Sequence, residues 1–241
     1  MSAGIGVVVP YDFALDRELW RWVPEGADLH LTRTPFVALP VGTDQAWAIS
    51  DASVVACGVH DLVAVEPHVV AYGCTSGSFV GGLAGEKWLC ETMVAAGAPV
   101  AVTTSGALVS ALDTLHVRRV AIATPYDEET TRLLVTYLAE CGITVTSSRN
   151  LGLTGRVWTV PYEVTADLVR SAVGPGAEAV FVSCTNLPTF DLIAPLEAEL
   201  GLPVLTANQV TMWAALRAAG LRAVDHGQRL PSLELHPMSD C

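Results

Sequence analysis

The chain has 241 residues, of which 51% are apolar, and it carries a formal net charge of −12 at pH 7. This length suits one large domain or two domains of about 120 residues, and the acidic balance argues against a nucleic-acid surface, which needs clustered Lys and Arg. No stretch reaches the roughly 18 apolar residues that a membrane span needs, and an N-terminus without a basic leader predicts a cytoplasmic protein with no membrane partner.

Apolar, β-branched runs alternate with helical patterns along the whole chain. The predicted strands are residues 5–9, 62–71, 100–102, 117–123, 179–182 and 204–205. The predicted helices lie around residues 87–96, 106–115, 128–141, 165–173, 193–200 and 210–219. Unbroken apolar strands that alternate with helices are typical of parallel sheets covered on both faces, so we expect an α/β fold.

Three segments of the first half recur in the second half in the same order. The pairs are GVVVPYD (6–12) with AIATPYD (121–127), GCTSGS (73–78) with SCTNLP (183–188), and APVAVTTSGALVSAL (98–112) with LPVLTANQVTMWAAL (202–216). We therefore predict two α/β halves related by a pseudo-twofold axis. The first half is residues 1–113, the second is residues 114–209, and the segment from about 210 to 241 packs back on the first.

Each repeated segment is predicted to lie at the end of a strand. Ligands of parallel α/β sheets bind beyond the carboxyl ends of the strands, so six loops are expected to converge on one cleft between the halves. Cys74 and Cys184 then stand on opposite sides of the same ligand.

The residues around the two cysteines are suited to proton transfer and to carboxylate binding. Helix N-termini and converging backbone N–H groups favour the thiolate, and small hydroxylated or amide residues donate hydrogen bonds to an anion. The candidate donors are Thr75 and Ser76, Thr185 and Asn186, Tyr126, and Thr104 and Ser105 with Asn208 and Gln209 at the matching places. The predicted partner is a small carboxylate or dicarboxylate substrate.

Structural roles compete with functional ones at several positions. A cysteine after a strand is usually a small buried apolar residue, which is our expectation for Cys57, Cys90 and Cys141, while Cys241 belongs to the tail. Asp127 is expected to cap a helix, and Asp12 is either a cap or a site residue. The six tryptophans, including Trp20 and Trp22, are expected to fill the core rather than to bind a cofactor.

No motif for a cofactor is complete. GIGVVVP lacks the third glycine of a dinucleotide fingerprint, and in GGLAGEK Glu86 separates Gly85 from Lys87, unlike a phosphate loop. Lys87 is the only lysine, which disfavours a Schiff base. No histidine lies at ligand spacing from a cysteine. The chemistry is therefore predicted to need neither metal nor cofactor.

The segments GCTSGSF and VFVSCTN on duplicated halves resemble the aspartate/glutamate racemase superfamily, and within it the branch of maleate cis-trans isomerases and arylmalonate decarboxylases. The resemblance covers nearly the whole chain. It implies that Cys74 is a nucleophile and Cys184 a proton carrier. In arylmalonate decarboxylases only the second cysteine is present, and the loops matching Thr75, Ser76 and Tyr126 hold a carboxylate. Members are often oligomers, so a homo-oligomer is expected.

The resemblance leaves three classes of function. The leading one is a cofactor-independent isomerase or racemase of a small carboxylic acid, similar to maleate isomerase. The alternative is an arylmalonate-type decarboxylase that uses Cys184 as proton donor, and the third is a non-catalytic carboxylate-binding protein. Maleate isomerases carry an asparagine shortly after the first strand, where this chain reads PYDFALD, which favours a bulkier or less anionic substrate.

Overall fold

Two four-stranded parallel sheets with the same strand order form the centre of the protein. The computed structural model describes residues 2–233. Its strands are β1 (Ala3–Val9), β2 (Ala27–Arg33), β3 (Val69–Tyr72), β4 (Ala101–Thr103), β5 (Arg119–Thr124), β6 (Thr144–Asn150), β7 (Ala179–Val182) and β8 (Val204–Thr206). The orders are β2-β1-β3-β4 and β6-β5-β7-β8, and every pairing is parallel. The predicted α/β class with duplicated halves is confirmed.

Helices cover these sheets. They are α1 (Asp16–Trp20), α2 (Thr43–Ile49), α3 (Ala52–Val63), α4 (Thr75–Phe79), α5 (Gly82–Ala95), α6 (Thr104–Thr114), α7 (Glu128–Glu140), α8 (Tyr162–Ala172), α9 (Ile193–Leu200), α10 (Ala207–Ala218) and α11 (Arg229–Ser232). Two 3₁₀ turns lie at Val157–Thr159 and Phe190–Leu192. Within residues 2–233 no single helix is long and apolar enough to cross a membrane, although α2 and α3, bent by 50°, together have the length and composition.

The strand predicted at residues 62–71 is wrong in its first part. Helix α3 continues to Val63, and β3 begins only at Val69. The segment is rich in β-branched residues, but its buried positions Val55, Val59 and Leu62 have helical spacing. The Asp51 side chain also accepts a hydrogen bond from the N–H of Ser53, which caps the helix. Helical periodicity and capping therefore override the β propensity.

Strands β2 and β6 were missed by the sequence prediction. Both lie at the edge of a sheet, where each pairs with one neighbour and is partly exposed. Their sequences, ADLHLTR and TVTSSRN, contain polar residues throughout. The inner strands β3 and β7 are buried at every position and read as apolar runs. Apolar runs therefore identify the inner strands and the edge strands β4 and β8, but not the polar edge strands β2 and β6.

The two halves pack against each other. Helix α6 packs against α10, and the hydroxyls of Thr104 and Thr211 lie 2.8 Å apart across this contact. Beyond α10 the chain contacts the first half again, since the N–H of Val224 donates to the carbonyl of Trp22 at 2.9 Å and the Trp22 indole donates to Gln228 at 2.9 Å. Contacts from several elements therefore hold the two halves together around the cleft.

Several expectations about single residues have a definite outcome. Asp127 caps α7 by accepting from the N–H of Thr130 at 2.8 Å, as predicted. Trp22 and Trp213 are buried, but the other four tryptophans are exposed, so their assignment to the core was wrong: Trp20, Trp47, Trp88 and Trp158. Cys57 is exposed, also against expectation, while Cys90 and Cys141 are half-buried. Cys241 lies outside the described residues.

Two helical glycines provide a test of the packing. A Cβ at Gly58 in α3 would lie 2.8 Å from a methyl group of Val8 in β1, whereas a Cβ at Gly85 in α5 would meet nothing within 4 Å. Alanine favours a helix by roughly 1 kcal/mol, and overpacking a core costs about 1–3 kcal/mol. We therefore expect Gly85→Ala to raise the free energy of unfolding in urea and Gly58→Ala to lower it. Equal stabilisation by both substitutions would contradict the packing of α3 on β1.

Candidate active site

The loops that follow the central strands of the two sheets enclose one cavity. It has about 360 Å³ of space free of protein atoms and is lined by Pro10, Asp12, Val41, Gln45, Ile49, Cys74, Thr75, Ser76, Tyr126, Val157, Cys184, Thr185 and Asn186. Of the residues predicted for the site, Cys74, Cys184 and most of the candidate donors line this cavity, as does Asp12. Thr104, Ser105, Asn208 and Gln209 do not. The convergence of loops at the carboxyl ends of the strands explains this grouping.

Cys74 lies between strand β3 and the short helix α4. Its sulfur accepts a hydrogen bond from the N–H of Gly77 at 3.4 Å and lies 3.7 Å from the hydroxyl oxygen of Ser76. The turn requires glycine at position 77, because a Cβ there would lie 2.4 Å from the hydroxyl oxygen of Tyr72. The tight turn from strand to helix therefore directs Cys74 into the cavity.

Burial decides the protonation state of Cys74. It raises the pKa of the thiol to about 11, although the hydrogen bonds from Gly77 and Ser76 lower it. The sequence predicted a thiolate favoured by surrounding N–H groups. That expectation was wrong, because the loss of hydration outweighs the donors.

Cys184 follows strand β7 in an unusual backbone conformation. Its φ angle is +86°, in the left-handed region that few residues other than glycine adopt. The residue keeps some exposure, but burial raises the pKa of its thiol to about 12, and the Asn186 N–H and the Tyr126 side chain oppose this shift. Both thiols are therefore protonated and neutral at pH 7.

Tyr126 and Thr75 present hydroxyl groups at the cavity. Tyr126 is 2% exposed, and burial raises the pKa of its phenol, so it remains a donor across the usual pH range. The Thr75 hydroxyl is buried and has no hydrogen-bond partner within the described chain. A buried hydroxyl without a partner is rare because it loses hydration without compensation, and at Thr75 a ligand in the cavity would supply the missing partner.

The Cys184 loop is attached to the first half beside the cavity. The hydroxyl of Thr185 donates to the carbonyl of Gly73 at 3.1 Å. The Asn186 side chain accepts from the N–H of Ala14 and donates to the carbonyl of Asp12, both at 3.0 Å. Asn186 therefore holds the loop after β1 in place as well as lining the cavity.

Four residues predicted as donors lie away from the cavity. Gln209 donates from Nε2 to Oε1 of Gln228 at 2.9 Å. The Thr104 hydroxyl donates to the carbonyl of Tyr72 at 3.2 Å, and the Ser105 hydroxyl lies 2.6 Å from that of Ser78. Asn208 donates from Nδ2 to the carbonyl of Thr185 at 2.8 Å. These groups support the loops from behind.

Sequence reasoning missed the part of the cavity wall that lies outside the repeats. Gln45, on α2, is 4% exposed and donates from Nε2 to the hydroxyl of Tyr11 at 2.9 Å. It also hydrogen-bonds Asp12, whose carboxyl pKa is raised by burial. Apolar side chains complete the wall, namely Val41, Ile49 and Val157. No sequence signal marked Gln45 or these three apolar residues, since all four lie outside the three repeated segments.

The electrostatic character of the cavity comes from neutral donors. No Lys, Arg or His is among its lining residues, and Asp12 is the one carboxyl group there. Within residues 2–233 no group of three or more His, Cys, Asp and Glu side chains is placed to hold a metal ion. The arrangement therefore offers two thiols, several hydroxyl and amide donors, and an apolar wall.

Comparison with known proteins places this arrangement among related enzymes. The family model for arylmalonate decarboxylase matches residues 37–230. Arylmalonate decarboxylase from Bordetella bronchiseptica is 36% identical over 157 residues, which are 63% of this chain and 65% of that protein, just under two thirds of its length. Maleate isomerase from Nocardia farcinica (strain IFM 10152) is 32% identical over 172 residues, 68% of each chain.

A solved structure extends the similarity. It is a cysteine-to-serine mutant of the Nocardia farcinica maleate cis-trans isomerase with a covalently bound succinylcysteine intermediate. It superposes with a TM-score of 0.82 and 26% sequence identity, covering 92% of this chain and 94% of that one. The likeness therefore extends over nearly the whole of the described fold.

The raised thiol pKa values predict a steep pH dependence of alkylation. Iodoacetamide reacts with the thiolate, whose fraction rises about tenfold per pH unit below the pKa. Because the two thiol pKa values are about 11 and 12, labelling of Cys74 and Cys184 should rise without a plateau from pH 7 to about pH 10. Peptide mass spectrometry after timed quenching measures both rates, with exposed Cys57 as internal reference. A plateau below pH 9 at either site would contradict the burial effect.

Proposed function

The chain belongs to the arylmalonate decarboxylase family, and we propose that it is a cofactor-independent isomerase or racemase of a small carboxylic acid. In its most concrete form the proposal is a cis-trans isomerase similar to maleate isomerase. One observation carries it: both cysteines line a single cavity beside the unpartnered hydroxyl of Thr75. A one-thiol reaction would leave Cys74 without a chemical role.

Neutral donors bind the substrate carboxylate in this proposal. The hydroxyls of Thr75, Ser76 and Tyr126 all line the cavity. Hydrogen bonds to an ionised group are shorter and stronger than neutral ones, especially where water is excluded. The carboxylate would also occupy the missing partner position of Thr75. Binding and orientation thus need no cation.

The isomerisation divides the work between the two cysteines. Cys74, whose thiol is neutral at pH 7, first loses its proton to solvent. The resulting thiolate adds to one alkene carbon, and Cys184 gives its proton to the other, which leaves a carbon–carbon single bond free to rotate. After rotation the Cys184 thiolate takes the proton back, the carbon–sulfur bond breaks, and Cys74 leaves as thiolate from the trans alkene. The succinylcysteine intermediate of the Nocardia farcinica isomerase supports an addition of this type.

The same pair could racemise a carbon next to a carboxylate. One cysteine, as thiolate, would remove the proton from one face, and the other, as thiol, would deliver a proton to the opposite face. The cysteines then exchange protonation states, which balances the reaction. Two thiols in one cavity satisfy this requirement as well as that of the isomerase.

Decarboxylation is the second candidate, and the apolar wall of the cavity favours it. Val41, Ile49 and Val157 provide surroundings in which a carboxylate is poorly solvated, and such a carboxylate is lost as carbon dioxide more easily than in water. Cys184 would then protonate the resulting carbanion. The 36% identity to arylmalonate decarboxylase supports this candidate, while the presence of Cys74 favours the two-thiol reaction.

Removal of either thiol tests the two-cysteine mechanism. We expect Cys74→Ala and Cys184→Ala each to reduce kcat by about 10³-fold, since proton transfer and nucleophilic catalysis contribute effects of this size. Cys57→Ala, at an exposed site, is the matched control and should keep wild-type rates. Circular dichroism confirms folding in each variant. Near wild-type turnover by either active-site variant would show that one thiol is sufficient.

Product analysis in deuterium oxide separates the three reactions. With maleate, an isomerase yields fumarate with little solvent deuterium, because Cys184 returns the proton it gave. With aspartate, a racemase places deuterium at the α carbon. With phenylmalonate, a decarboxylase releases carbon dioxide and leaves one deuterium in the product. We expect the isomerase result by mass spectrometry. Carbon dioxide from phenylmalonate, with maleate and aspartate unchanged, would replace our proposal by the second candidate.

A further inference from the structure

A buried carboxylate of the first half lies directly behind the Cys184 loop. Glu18, on α1, is 7% exposed. Its Oε1 accepts from the hydroxyl of Thr189 at 2.9 Å and from Nδ2 of Asn208 at 3.2 Å, and its Oε2 accepts from the N–H of Thr189 at 3.4 Å. These partners lie 171 and 190 residues away in the chain. One side chain of the first half therefore binds two elements that surround the second cysteine.

Asn208 connects this carboxylate to the residue after Cys184. Its Nδ2 also donates to the carbonyl of Thr185 at 2.8 Å. A side-chain amide has two N–H groups, and both are used here, one toward Glu18 and one toward Thr185. Glu18 thus orients the amide, and the amide fixes the backbone next to the thiol.

The Cys184 loop needs such support because its conformation is strained. The φ of +86° at Cys184 is unfavourable for a residue with a Cβ, and such conformations persist only where the surroundings impose them. The loop is held near its start through Asn208 and Thr185, and at its end through Thr189. Glu18 takes part in both attachments.

The loop in turn makes the burial of this carboxylate possible. Burial raises the pKa of Glu18, while hydrogen bonds from Asn208, Thr189 and the N–H of Phe190 lower it. In the described part of the chain no basic side chain forms a salt bridge with Glu18. A buried carboxylate without an ion pair depends on its hydrogen-bond donors. Those donors come from the active-site loop and from α10.

We infer that Glu18 is a positioning residue for Cys184, and that it acts through Asn208 and Thr189 to hold the loop that directs the thiol into the cavity. This inference rests on the proposed function in so far as Cys184 is a reacting group. Glu18 does not line the cavity, so its effect on the substrate is indirect. Its loss should change the state of Cys184 while the carboxylate-binding hydroxyls stay in place.

Two replacements of Glu18 by side chains of similar size distinguish the loss of its hydrogen-bond acceptors from a change in its shape. Glu18→Met removes both acceptor oxygens, and Glu18→Gln keeps one. For Glu18→Met we expect alkylation of Cys184 at pH 8 to rise by about tenfold relative to Cys74, because release of the loop exposes the thiol, which is otherwise shielded by burial. We expect kcat to fall by about 10- to 100-fold with little change in KM. Glu18→Gln should restore most of both properties.

Glu197 provides a matched control. It is also a buried carboxylate, 3% exposed, and it accepts from the N–H groups of Val204 and Arg229 at 3.1 and 2.9 Å. It contacts neither cysteine loop. Glu197→Met should lower the melting temperature as Glu18→Met does, yet leave the labelling ratio of Cys184 to Cys74 and the value of kcat as in the wild type.

An unchanged labelling ratio in folded Glu18→Met would overturn the inference. If that variant does not fold, Thr189→Val decides instead, since it removes the 2.9 Å hydrogen bond with little change in shape. It should shift the ratio in the same direction by a smaller factor, and no shift would count against Glu18. The labelling test needs no substrate. Altered labelling of Cys184 alone therefore supports the role of Glu18 even if neither maleate, aspartate nor phenylmalonate is turned over.

Discussion

The hydrogen bond from the Thr185 hydroxyl to the carbonyl of Gly73 joins the two cysteine loops at one point. Each half of the chain supplies one thiol and part of the cavity wall, so the site exists only when the halves are docked. Asn186 adds two further bonds to the loop after β1. The packing of α6 on α10 supplies apolar contact behind these polar links. The same interface therefore holds the two halves together and assembles the candidate active site.

The cavity presents hydroxyl and amide groups rather than cations. In the proposed function these donors replace part of the hydration that a carboxylate loses on entering. The same burial keeps both thiols protonated, since it raises their pKa values. Burial therefore favours hydrogen bonding to a substrate carboxylate but disfavours the thiolate that the proposed reaction needs. The hydroxyl of Tyr126 lines the cavity and contacts the Cys184 side chain, so it can donate to a carboxylate or to a thiolate.

Alternation of apolar strands with helices predicted the fold class, and repetition within the sequence predicted the two halves and most of the cavity. Cys74 and Cys184 were found because their flanking segments match, and Thr75, Ser76, Tyr126, Thr185 and Asn186 followed from their proximity to these strand ends. Repetition could not identify Gln45 or Glu18, whose segments lie outside the repeats. It also misplaced Asn208, because a short polar residue at a strand end can face the cavity or the loop behind it, and here its amide hydrogen-bonds Glu18 and Thr185 behind the loop. The edge strands β2 and β6 escaped for a different reason, since they are partly exposed and lack an apolar run.

The positive φ of Cys184 has a consequence for substitution at this position. Glycine adopts this conformation without steric penalty, so the backbone alone would favour glycine over cysteine there. The cysteine therefore carries a conformational cost that glycine would not, and only the side chain of Cys184 can offset it.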